Sequence, residues 1–295
     1  MRKALARTRV AASGAAAVIA VSSLLALSGC GVPPQSSAVP QIQAAAAAGQ
    51  PGAAGANPGA AGANPGTAAA RVLNPANGRL EAVVTDVSRT VLLIGDSQSE
   101  PSDGWPRQGL EAAGYKVYYC GRGGTGFVSA NGKTGNYIDA LLRGDWLLPS
   151  GTPALIVIQG GGNDAATGAS DTRITGNAER LIAELKARYP GTRMAMIGTL
   201  ARGEGNGGGR RTEVDALLGN VAAAHNLPFV SVGDWLTRYG LAKDLADAVH
   251  MNPHGRRALG TLLERRLIDL GLQRKPAADQ PPALATGGGN DSFHD

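Results

Sequence analysis

Ser97 lies in the run Ile94-Gly95-Asp96-Ser97-Gln98-Ser99, where an apolar stretch stops. A serine hydroxyl there can act as a nucleophile if a base takes its proton. Its blander use after a strand is to cap a helix. The Gly-x-Ser-x-Gly elbow of the α/β-hydrolases is absent, because Ser99 stands in its last position. The chain has 4 histidines to supply the base. His294 lies in the tail, and His225, near the end of an expected helix, reads as a capping or surface residue. His250 and His254 remain, in the segment Asp247-Ala248-Val249-His250-Met251-Asn252-Pro253-His254. Asp247 precedes His250 at a spacing that lets a carboxylate on a turn meet the imidazole and hold one tautomer. His254 has no acid at comparable spacing. Taken alone, Asp247 and His250 read as a surface pair.

Acyl transfer places negative charge on an oxygen and needs donors arranged in advance around it. Glycine-rich turns can present backbone N–H groups, and an Asn amide can add another. Two such segments occur, Gly121-Arg122-Gly123-Gly124 and Gly161-Gly162-Asn163-Asp164. Singly, each is an unremarkable loop.

These segments gain weight from the elements that must carry them. Short apolar runs at Thr90–Ile94, Tyr115–Cys120, Ala154–Ile158, Arg193–Thr199 and Pro228–Val232 read as buried strands. Helices are expected at Trp105–Ala113, Asn136–Leu147, Thr172–Tyr189, Thr212–His225 and Gly255–Leu270. Apolar strands alternating with helices imply an α/β domain whose parallel sheet is covered on both faces. Ligands then bind beyond the carboxyl ends of the strands. Ser97, Gly124 and Asn163 each follow a strand, so all three are expected on one sheet edge.

With these four blocks in order, the chain resembles the SGNH hydrolases, the GDSL-type esterases and lipases. Gly95-Asp96-Ser97 matches the first block, Gly121–Gly124 the second, Gly161–Asp164 the third and Asp247–His250 the last. The resemblance spans about residues 88–272. It implies a three-layer α/β/α fold on a five-stranded parallel, flavodoxin-like sheet. It further implies Ser97 as nucleophile, His250 as general base, Asp247 as its orienting acid, and an oxyanion hole of Ser97, Gly124 and Asn163. No metal or organic cofactor is implied. The second block departs from the family pattern: Tyr118-Tyr119-Cys120 stands where an Asn usually lies, which puts a supporting hydrogen bond in doubt. Its many glycines leave Gly123 or Gly126 as alternatives to Gly124. Trp105, Phe127 and Trp146 are candidates for an acyl or sugar pocket, or simply for the core. The Gly203–Arg211 segment is either a lid with Arg210 and Arg211 meeting an anion, or a solvated loop.

The rest of the chain concerns placement. Arg2 and Lys3 open an N-terminus whose apolar stretch, Val10–Leu27, is short and Ala-rich for a membrane span. It ends in Leu27-Ser28-Gly29-Cys30, which resembles a lipobox. That implies a signal peptide over 1–29 and diacylglycerol on Cys30, hence an exported protein held at the membrane by acyl chains worth ~0.8 kcal/mol per buried methylene. Residues 30–79, with the repeat Gly52–Pro58 and Gly59–Pro65, read as a disordered Ala/Gly/Pro-rich tether, 80–274 as the domain, and 275–295 as a disordered tail. The net charge of +5 loses its meaning once Arg2, Lys3, Arg7 and Arg9 are set aside, since 24 basic then face 23 acidic side chains. No basic run with interleaved aromatics suggests nucleic acid. Of the two cysteines, Cys30 is spoken for, and Cys120 reads as a buried strand residue. The expected partner is a small-molecule, lipid or carbohydrate ester, acted on by a monomer. The reaction is ester hydrolysis. An O-acyltransferase using the same residues, and a silent binding module on the same scaffold, are the rivals.

Overall fold

Thr90–Gly95 (β3) is buried at every position, as an interior strand covered on both faces must be. Its side chains alternate with the pleat. Leu92 and Ile94 enter one apolar cluster, and Val91 and Leu93 enter the other. The computed structural model describes residues 70–274. Within it β3 pairs in parallel with Lys116–Gly121 (β4) on one side and Leu155–Gln159 (β5) on the other. Met194–Ile197 (β6) and the two-residue strand Phe229–Val230 (β7) continue the sheet, giving the order β4-β3-β5-β6-β7. This is the five-stranded parallel, flavodoxin-like sheet of the expected fold.

Helices cover both faces. One cluster packs Tyr137–Arg143 (α2), Asp171–Arg188 (α4) and Gly209–Ala224 (α5) against Leu92, Ile94, Ile156 and Ile158. The other packs Trp105–Ala112 (α1) and Pro253–Asp269 (α7) against Val91, Leu93, Leu155 and Val157. Two shorter α-helices lie among the described residues, Gly162–Ala166 (α3) and Trp235–Arg238 (α6). Crossovers leave β3 and β5 in opposite directions, so the crevice between their carboxyl ends is the place for a ligand. Ser97 follows β3 and Gly162–Ala166 follows β5.

Several boundaries shift for local reasons. Across the expected domain start at residue 80, Arg71–Asn74 (β1) and Arg79–Ala82 (β2) form an antiparallel hairpin with Leu73 opposite Leu80. It is tied down by Arg79, which donates to the last carbonyls of α2 at 2.8 Å (Leu141) and 2.6 Å (Leu142). Helix α2 stops at Arg143 rather than Leu147, since Gly144 takes the left-handed conformation (φ 77) that ends a helix. Helix α7 starts at Pro253, two residues before the expected Gly255, with Pro at its first position and the Asn252 carboxamide accepting from Gly255 N at 2.9 Å. Helix α5 likewise starts early, so Arg210 and Arg211 belong to its first turn. Cys120 is buried in β4, and burial pushes its thiol pKa up. The expected signal peptide, the lipidation site Cys30, the tether up to residue 69 and the tail after residue 274 lie outside the described residues.

Candidate active site

Beyond β3 the chain turns tightly. The carbonyl of Asp96 accepts from Ser99 N (3.0 Å) and Glu100 N (2.9 Å), and its Oδ1 accepts from Gln98 N at 3.0 Å. This turn lifts Ser97 off the strand end. Support comes from residues whose roles the sequence does not announce. Tyr119 on β4 donates its hydroxyl to the carbonyls of Gly95 (3.1 Å) and Asp96 (3.2 Å). The turn is thus braced from β4 by a phenol. Arg107 on α1 donates to Ser99 O at 2.6 Å and lies 4.6 Å over the Tyr119 ring.

Beneath the turn, Asp96 is 3% exposed, and burial raises its carboxyl pKa to about 6. Its remaining contact is with Gln159 on β5. That amide presents nitrogen to Asp96 Oδ1 (3.2 Å) and Ser99 Oγ (2.6 Å), and oxygen to Gly160 N (3.2 Å).

The second component is a closed loop. Leu245 bridges Met251, and Ala246 N donates to His250 O at 2.8 Å. Inside it the Asp247 carboxylate works at both oxygens. Oδ1 accepts from Val249 N (2.8 Å) and His250 N (2.7 Å), while Oδ2 stands 2.8 Å from His250 Nδ1. The two backbone N–H groups first, then the imidazole, pull the Asp247 pKa down to about 2. The far ring nitrogen, His250 Nε2, lies 2.8 Å from Ser97 Oγ. So Ser97, His250 and Asp247 come together in one chain of hydrogen bonds. His254 does have an acid, Asp244 Oδ1 at 3.1 Å, but one that no short sequence spacing reveals. It makes no bond to Ser97, and His225 sits at the carboxyl end of α5.

Across from Ser97 lies the loop after β4. Here the three candidate glycines separate. Gly123 N donates to Glu100 Oε2 (2.9 Å), and Gly126 N donates to Ser129 O (2.9 Å). Among the described residues, the N–H groups of Gly124 and Ser97 have no acceptor. Gly124 adopts φ +80, which a side chain would strain. Asn163, at the start of α3, donates one amide N–H to Thr125 O at 2.8 Å, which fixes the carboxamide and leaves its second N–H. Its neighbour Asp164 is fully buried and accepts from Phe127 N, Val128 N and Ser129 N, each at 2.8 Å. The loops after β4 and β5 are therefore one hydrogen-bonded unit.

The remaining candidates resolve toward structure. Trp105, Phe127 and Trp146 are 0%, 1% and 9% exposed, all in the core. Arg210 is engaged by Asp171 (2.5 Å) and Glu213 (3.2 Å), and Arg211 by Leu200 O at 2.9 Å. Among the described residues, no group of His, Cys, Asp and Glu is placed to hold a metal ion.

A hydroxyl, an imidazole and a carboxylate thus stand in line at the carboxyl edge of a doubly wound sheet. The model of the GDSL-like lipase/acylhydrolase family matches residues 93–258, and the chain belongs to that family. It is a carboxylic ester hydrolase of the GDSL type. Among solved structures it is similar to a lipase/acylhydrolase from Enterococcus faecalis, with 22% identity, a TM-score of 0.49, and coverage of 64% of this chain and 100% of that one. It is also similar to a family two carbohydrate esterase from Clostridium thermocellum in complex with cellohexaose (19%, 0.47, 66% and 68%). A third is a carbohydrate acetylesterase from Sinorhizobium meliloti (17%, 0.44, 62% and 99%). No curated protein matches the sequence.

Proposed function

We propose that the chain hydrolyses carboxylic esters by a Ser97–His250–Asp247 triad and a covalent acyl-enzyme. The observation that carries this reading is the relay of two 2.8 Å contacts, Ser97 Oγ to His250 Nε2 and His250 Nδ1 to Asp247 Oδ2. Ser97 Oγ attacks the ester carbonyl carbon as His250 Nε2 takes its proton. The carbonyl oxygen becomes an oxyanion held by the N–H groups of Ser97 and Gly124 and the free N–H of Asn163. Collapse breaks the bond to the alcohol, which leaves with the proton from His250. A water molecule then gives its proton to His250 and attacks the acyl carbon. The same oxyanion forms, Ser97 is released with the proton, and the acid departs. Asp247 stabilises the imidazolium at each stage without itself taking a proton.

Solvent access supports hydrolysis over transfer to another alcohol. The His250 side chain is 40% exposed and that of Asp247 56%, so the base is open to water from the loop side. We further propose an exported lipoprotein anchored through Cys30, with acylated envelope carbohydrate or lipid as substrate. This rests on the Leu27-Ser28-Gly29-Cys30 motif.

The test is a fluorophosphonate probe and short p-nitrophenyl esters applied to the protein and to Ser97→Ala. Labelling and turnover confined to the parent support the reading, and labelling that persists in Ser97→Ala sinks it. For the anchor, Cys30→Ala should leave the membrane fraction, and retention there counts against lipidation.

A further inference from the structure

Ser97 and His250 are separated by 153 residues and sit on two independently closed loops. Something must hold those loops at a fixed distance while the proton moves. Gln98 is placed to do so. It is 8% exposed, and its backbone N–H is held by Asp96 Oδ1. Its Oε1 accepts from Trp105 Nε1 at 3.0 Å, and its Nε2 donates to Val249 O at 2.9 Å. An amide with a donor on its oxygen side and an acceptor on its nitrogen side has one orientation only. Trp105 is itself immobile, being fully buried at the start of α1 and packed against Trp235 with ring centroids 6.3 Å apart. Gln98 adjoins the nucleophile and Val249 adjoins the base. Apart from the reacting pair, the Gln98–Val249 bond is the only hydrogen bond among the described residues between the turn 95–100 and the loop 244–252.

We propose that Gln98 is a positioning residue that sets the distance between Ser97 and His250, an inference that rests on the triad read above. Trp105 orients the Gln98 amide, and the amide holds the His250 loop against the nucleophile turn. It touches neither substrate nor the reacting atoms. His250 serves in both acylation and deacylation, so its misplacement lowers kcat whichever step is slower. A displacement of about 1 Å at a reacting pair costs ~100-fold at most sites.

The experiment compares the parent, Gln98→Met and Ser97→Ala on p-nitrophenyl acetate across pH. Gln98→Met keeps the size and removes both hydrogen bonds. We expect kcat to fall ~10- to 100-fold, with KM within a few-fold and fluorophosphonate labelling slowed in parallel. The acid limb of its pH profile should stay in place, because Asp247 grips His250 from within the same loop. A lowered plateau with an unmoved limb marks lost position, whereas a shifted limb marks a collapsed loop and overturns the proposal. A kcat within twofold of the parent, while Ser97→Ala is inactive, overturns the role of Gln98 alone. Turnover in Ser97→Ala overturns the triad and this proposal together. Should Gln98→Met fail to fold, Gln98→Glu keeps the acceptor for Trp105 and sets a carboxylate oxygen against Val249 O in place of the donor. The same loss is expected there, and parental kcat in that variant refutes the proposal.

Discussion

Asp247 is bonded twice to the one residue it orients: Oδ2 stands 2.8 Å from His250 Nδ1, and Oδ1 accepts the backbone N–H of His250 at 2.7 Å. Ring and backbone of the histidine are thereby clamped by a single carboxylate, itself on the surface. Asp247→Asn can keep the backbone bonds but offers a donor or a weaker acceptor to the ring. Its kcat should fall ~100- to 10,000-fold with the loop intact, and Asp247→Ala should lose the loop geometry as well. The carboxyl pKa is lowered to about 2, so the group is ionised from pH 3 upward and its grip is lost only as pH falls through 2. The acid limb of the rate profile above pH 3 should therefore be absent from Asp247. A limb between pH 3 and 8 that disappears in Asp247→Asn with activity retained would contradict this.

The acceptor side predicts a different pattern. Asn163 spends one amide N–H on Thr125 O and has one to offer the oxyanion. Asn163→Ala removes a donor that strengthens only as charge develops, so kcat should drop ~100- to 1,000-fold with KM little changed. Asn163→Asp keeps the shape but places an acceptor where a donor is needed, and should be no better. Steady-state kinetics on a neutral p-nitrophenyl ester decide it, since a rise in KM at constant kcat would make Asn163 a binding residue instead.

The sequence displayed the groups proposed to react but concealed what holds them. Ser97, His250, Asp247 and Asn163 were legible because each falls just past an apolar run or at a short spacing from its partner. The sheet was legible because buried strands such as Thr90–Gly95 are apolar at nearly every position. The hairpin at 71–82 was not, because Leu73, Leu80 and Val83 are more than half exposed and follow an Ala/Gly-rich stretch with no core signal. Gln98, Tyr119, Arg107 and Gln159 act through partners 7 to 151 residues away, and no local pattern encodes such contacts. That Gly123 N and Gly126 N are occupied was likewise invisible, since their acceptors, Glu100 Oε2 and Ser129 O, follow from the folded loop.

Asp164 shows how much the scaffold asks of one buried side chain. Its carboxylate answers three backbone N–H groups of the loop that ends in Ser129, each at 2.8 Å. Asp164→Ala would leave these donors without partners, at ~1–3 kcal/mol for each that stays buried. The expected result is a loss of several kcal/mol, and inactivity through misplacement of Gly124 rather than loss of a reacting group. Asp164→Asn keeps one acceptor oxygen and should be intermediate. Denaturant unfolding at neutral pH measures the order. Equal stability of Asp164→Ala and the parent would show that water or a rearranged loop replaces the carboxylate.

Asp96 predicts the opposite sign. Burial lifts its carboxyl pKa to about 6 against ~3.9 in an unfolded chain, despite the Gln98 N–H and the Gln159 amide. Between pH 4 and 6 the folded state therefore binds more protons than the unfolded state. Stability from this group is fully present at pH 4, falls as pH rises toward 6, and stays low above it. The cost of ionising it in place is of order 3 kcal/mol at neutral pH, since one pKa unit is worth about 1.4 kcal/mol. Asp96→Asn removes the charge and, with its oxygen at the Oδ1 position, retains the acceptor shared by Gln98 N and the Gln159 amide. That variant should be more stable than the parent at pH 8 and lose its advantage at pH 4. Thermal unfolding at the two pH values tests the claim, and a variant less stable than the parent at pH 8 would mean that the ionised Asp96 is worth more to the turn than its burial costs.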